Sequence, residues 1–175
     1  MSESNTPSPL PHESERDRGP RYEAAERLRT AANDLLTISG EHLIPYVAGS
    51  FVTYQSLFNL VLAEDAIKKA GPIDHASAEK TADIMAALPV SAGERAALAV
   101  NMRVRLQAPD FYDGQAWYDD APPHDLVMLR KWGRWLGELF PDSESYEENP
   151  AGPEFIHSLG DLADALIDGP ERMPS

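Results

Sequence analysis

Residues 43–63 read Leu-Ile-Pro-Tyr-Val-Ala-Gly-Ser-Phe-Val-Thr-Tyr-Gln-Ser-Leu-Phe-Asn-Leu-Val-Leu-Ala, 21 residues without a charged side chain. A run of that length is long enough to span a bilayer. Its composition argues against this: Pro45, Gly49, Ser50, Thr53, Gln55, Ser56 and Asn59 interrupt it, and no basic residues flank it. The spacing predicts a helix from after Pro45 to about Ala70, where Gly71-Pro72 stops it. Val47, Phe51, Tyr54, Phe58, Val61 and Leu62 fall on one stripe, while Val52, Leu57 and Leu60 lie off it. A helix apolar around most of its girth belongs in the middle of a bundle.

The rest of the chain supplies helices to surround it. Tyr22, Ala25, Leu28, Ala32, Leu35 and Leu36 recur every three or four residues and predict a first helix from near Pro20 to Ser39-Gly40. A third helix is expected over about 75–88 and a fourth over about 92–107. Ser91-Ala-Gly-Glu94 between them reads as a capping box. The apolar set of the fourth is Ala96, Leu98, Val100, Met102, Val104 and Leu106. The fifth, about 124–140, carries Leu126, Leu129, Trp132, Leu136, Leu139 and Phe140. The sixth, about 154–168, carries Phe155, Leu159, Leu162, Leu166 and Ile167. No strand alternation, hairpin signal or repeat appears. The expectation is an all-α bundle of five or six helices over 21–169. A polar, proline-broken tail over 1–20 is expected to be disordered, and 170–175 form a short tail.

Charge is unevenly placed. The chain has 175 residues and a formal net charge of −14. Residues 21–108 are close to neutral, 109–125 carry five Asp and no Lys or Arg, 126–140 are net +2, and 141–175 carry nine acids against Arg172 alone. So acidic a chain repels nucleic-acid phosphate, which disfavours a nucleic-acid partner. There is no cysteine, which removes disulfides, thiolate metal sites and cysteine nucleophiles. The first residues lack a basic start followed by an apolar run, so they do not read as a secretory signal. A cytoplasmic protein with no membrane span is expected.

No motif stands alone as a catalytic or metal site. Glu154-Phe-Ile-His157 matches the Glu-x-x-His half of a carboxylate-bridged metal centre, but no second copy exists. Asp110, Asp113, Asp119, Asp120, His124 and Asp125 offer hard oxygen and nitrogen ligands, yet their spacing is not that of a calcium loop. Whether 109–125 takes a divalent cation stays open. There is no Gly-x-Ser-x-Gly elbow and no Gly-rich phosphate loop. Neither catalytic residues nor a cofactor are therefore assigned.

One family resemblance exists. Tyr54-Gln-Ser-Leu-Phe58, followed by Ala63, Ala66 and Gly71, resembles the aromatic- and alanine-rich helix of the HEPN domain. That domain is a helical bundle of prokaryotic toxin–antitoxin and defence systems. Arg105-Leu-Gln-Ala-Pro-Asp110-Phe-Tyr-Asp113 resembles its arginine and the stretch that follows. The resemblance spans about 45–140 and implies ribonuclease chemistry. It departs where active members place a His beyond the Arg: those positions hold Asp110, Phe111 and Tyr112. An anionic Asp110 would repel a scissile phosphate.

The reading the residues support is a non-catalytic acidic helical module that binds another protein, one bearing basic groups; a homodimer is the other assembly the sequence admits. The candidate partner-binding residues are Arg105, Asp110, Asp113, Trp117, Asp119, Asp120, Arg130, Arg134 and Trp135. They place acidic segments on either side of a basic–aromatic helix. The alternatives are a HEPN-like ribonuclease or defence component centred on Arg105, and an acidic mimic of nucleic acid that occupies a basic partner.

Overall fold

The computed structural model describes residues 9–41, 51–107, 123–140 and 151–168. They form six helices: α1 Pro9–Glu41, α2 Phe51–Ala70, α3 His75–Ala87, α4 Ala92–Arg105, α5 Pro123–Leu139 and α6 Ala151–Asp168. No strand occurs among the described residues, and none of their helices is long and apolar enough to cross a membrane. The helical backbone of α1 begins at Pro9, ahead of the start expected near Pro20. Side chains before Gly19 lie outside the described set, as do residues 1–8.

The bundle is organised around α2. Every residue from Thr53 to Ala63 is buried except Gln55, which is half-buried. The expected central helix is therefore found from Phe51 on; residues 43–50 lie outside the description. Burial on all sides requires every polar group to find a partner, and the polar residues of this stretch do. The fully buried Trp132 of α5 donates its indole N–H to the Thr53 carbonyl (2.9 Å) and to Ser56 Oγ (3.0 Å). Ser56 in turn donates to the Thr53 carbonyl. Asn59 donates to the Gln55 carbonyl and accepts from Arg27 Nη1 of α1 at 3.1 Å.

α1 lies along α2 and also packs against α6. Its fully buried stripe is Ala24, Ala25, Leu28, Ala31 and Leu35. Three alanines in it let the two backbones approach closely. The stripe is rotated from the expected one: Leu36 is 55% exposed, since one residue is about 100° of helix.

The largest departure from expectation is α4. Its buried face is Arg95, Leu98, Ala99 and Met102. Ala96 is exposed, and Val100 and Val104 are 64% and 66% exposed. The alternating apolar pattern read along this helix cannot occupy one face, because successive even positions lie about 200° apart. What replaces those apolar residues in the core is a guanidinium. Arg95 donates from Nε and Nη2 to the two oxygens of Glu64 (2.8 and 3.1 Å), and from Nη1 to the Val90 and Met85 carbonyls (2.8 and 3.2 Å). It joins α2 to the turn between α3 and α4. The capping box forms as expected, with the Glu94 amide donating to Ser91 Oγ and the Ser91 amide to Glu94 Oε1. Asp74 caps α3 by accepting from the Ser77 amide. Gly71 ends α2 with φ +82°, a conformation that favours glycine.

Removing one partner of a buried ion pair strands the other. Arg95→Met is expected to lower the unfolding free energy by about 3 kcal/mol, measured by urea denaturation. A loss below about 1 kcal/mol would show that the pair does not hold α4 to α2.

Candidate functional site

Of the nine residues singled out from sequence, Asp110, Asp113, Trp117, Asp119 and Asp120 lie outside the described residues. The other four do not converge. Arg105 closes α4, half-buried, and its Nε is buried with no hydrogen-bond partner among the described residues. Arg130 and Arg134 are exposed on α5. Trp135 turns inward instead of standing beside Arg134. It is half-buried, its ring stacked on Trp132 (centroids 5.0 Å, planes at 28°) and edge-on to Phe155 of α6 (5.4 Å, 82°). Consecutive residues point about 100° apart, and Arg134 is exposed where Trp135 is half-buried.

The inward turn of Trp135 creates a feature that sequence reading missed. A groove of about 310 Å³ opens between α3, α5 and α6. Its apolar wall is Ile84, Trp135, Leu139 and Phe155, with Ala87 at its edge and Asp83 and Glu154 on its rim. The walls are fixed. A Cβ on Gly152 would sit 2.4 Å from the Phe140 ring and 2.9 Å from the Leu139 carbonyl oxygen, so glycine lets the start of α6 press against the end of α5. Only the Gly-Pro-Glu sequence at 152–154 hinted at this approach. The apolar stripe of α5 placed Trp132 in the core and left Trp135 off it, but nothing in it indicated that Trp135 packs on Phe155 of α6.

A second recess, about 350 Å³, lies between α2 and α3 and is lined by Glu64, Met85 and Arg95 among others. Two of its charges, Arg95 and Glu64, are committed to each other; the exposed Lys68 lines it as well. Most charges near the bundle axis are likewise occupied. Arg103 donates to Asp65 (2.9 Å) and sits 3.0 Å from Glu23, tying α4 to α2 and α1. Burial pushes Asp65 up, but Arg103 and Lys69 outweigh it and hold its carboxyl below the usual carboxylate range. Lys131 meets Glu94 at 3.2 Å, and Arg29 meets Asp164 at 2.8 Å. The buried Asp125 accepts from Asn101. His157 of the Glu-x-x-His sequence is exposed beside Asp161. Among the described residues, no three His, Asp or Glu side chains are grouped so as to hold a metal ion.

Asp34 of α1, like Arg105, is an exception to this pairing. Its Oδ2 is buried with no hydrogen-bond partner among the described residues, and burial pushes its carboxyl from 3.8 up to about 6.

No protein-family model matches the chain, and neither a curated protein nor a solved structure matches it.

The raised carboxyl has a definite sign. Between about pH 4 and pH 6 the folded chain holds a proton on Asp34 that the unfolded chain releases. Stability conferred by the protonated form is present at low pH and is lost as pH rises through about 6. Asp34→Asn is expected to raise Tm at pH 7 by about 2–4 °C and to flatten the decline in stability between pH 4 and 6, followed by thermal unfolding across pH. An unchanged Tm and an unchanged pH profile would contradict the assignment. For the groove walls, Gly152→Ala is expected to cost about 1–3 kcal/mol, read from urea unfolding, because the Phe140 ring and the Leu139 carbonyl must both yield.

Proposed function

We propose that the chain is a non-catalytic helical module whose work is to bind another protein. The observation that carries this is the groove between α3, α5 and α6, lined by the half-buried Trp135 and Leu139 over the buried Ile84 and Phe155. Tryptophan at a recess is the kind of anchor point that dominates protein–protein affinity. The charged groups on the bundle axis support the same reading. Most of them are held in pairs that fix helices; Asp34, with its raised carboxyl, is not.

Capture from a lysate of the organism that encodes the chain tests it. Ala87 is exposed at the groove's edge, so Ala87→Arg fills the groove without disturbing the core. Val100→Arg places the same charge on the outer face of α4. The expected result is a specific protein retained by the native chain and by the Val100 variant, and reduced at least about tenfold, roughly 1.4 kcal/mol, by the Ala87 variant. No specific protein, or one captured equally by all three, would contradict the proposal.

The ribonuclease alternative is favoured by one observation, the buried Nε of Arg105 that no described residue engages. Incubating cellular RNA with the native chain and with Arg105→Ala separates the two. The module reading predicts intact RNA in both; cleavage abolished by Arg105→Ala would replace it with the HEPN-like ribonuclease.

A further inference from the structure

We infer that the partner seats an amphipathic helix in this groove, and that Lys or Arg residues flank the apolar stripe of that helix; the inference rests on the protein-binding reading above. The apolar wall calls for large aliphatic or aromatic side chains spaced one turn apart, the pattern by which a helix presents anchors to a recess between helices. The rim sets the sign of the charge beside them. Asp83 of α3 and Glu154 of α6 are exposed on opposite sides of the groove. Neither is within ion-pair distance of a described Lys or Arg, unlike Glu23, Glu64, Asp65, Glu94 and Asp164.

Arg134 and Arg130 of α5 face elsewhere, about 100° and 140° around it from Trp135. Lys80, one turn before Asp83 on α3, is not within ion-pair distance of it. An acidic rim without counter-charge repels acidic partners at long range and steers basic ones. A second copy of this chain is disfavoured as the occupant for the same reason. It carries −14 overall, so two copies repel each other at long range.

The test uses the full chain and two synthetic helices of about 20 residues, long enough to be helical on their own. They share one leucine stripe and differ only in carrying Lys or Glu beside it. Binding is followed by isothermal titration. The Lys helix is expected to bind and the Glu helix to bind at least about tenfold more weakly, roughly 1.4 kcal/mol. Asp83→Lys with Glu154→Lys should reverse that order, and Ala87→Arg should abolish binding of both. These positions are exposed, so circular dichroism is expected to show an unchanged fold. Equal binding of the two helices, an order that the double variant leaves unchanged, or no binding by either would overturn the inference. If lysate capture remains sensitive to Ala87→Arg in that case, the module reading stands and only the partner's chemistry falls. A chain that captures no protein removes the module reading itself.

Discussion

The interaction on which the structure depends is the burial of α2 on every side. The uncharged stretch 53–63 of α2, with leucines at 57, 60 and 62 all inaccessible, contributes about 1.5–3 kcal/mol for each such side chain, and only if other helices enclose it. That requirement explains the alanine-rich contact of α1 and the placing of Trp132. It also explains the polar residues that make the same stretch unsuitable for lipid. Thr53, Ser56 and Asn59 sit where other helices complete their hydrogen bonds, so they orient α1 and α5 rather than weaken the core.

Charge plays the complementary part. Near the axis it works as a set of clips. Arg95 with Glu64, and Arg103 with Asp65 and Glu23, connect α4 to α2 and α1. Buried pairs of this kind contribute more to fixing one arrangement than to net stability. Asp83 and Glu154, which line the groove between α3, α5 and α6, are not within ion-pair distance of a described Lys or Arg.

The fold was legible where periodicity had one interpretation. The α2 run, the stripes of α5 and α6, the 91–94 capping box and the Gly71 stop all appear as the residues foretell. It was illegible where burial runs against residue type. Val100 and Val104 read as core and are exposed, whereas Arg95 reads as surface and is buried, because its stabilising partners, Glu64 and the Met85 and Val90 carbonyls, are distant in sequence or carry no sequence signal. The groove was hidden for a related reason. Trp135 was identifiable as a residue of interest beside Arg134, but its orientation depends on Phe155 and on the close approach at Gly152, which no local pattern encodes. Much of the remaining acidic surface lies in 109–122 and 142–150, where composition alone speaks.

The central claim is that α2 anchors a rigid scaffold and the α3–α5–α6 groove does the work. Amide hydrogen exchange of the full chain, with and without its captured partner, tests this most directly. The account predicts slowest exchange in α2 in both states, with protection gained on binding at 83–87, 135–139 and 151–158. Protection gained instead along the outer face of α4, or an α2 that exchanges as fast as the surrounding helices, would contradict it.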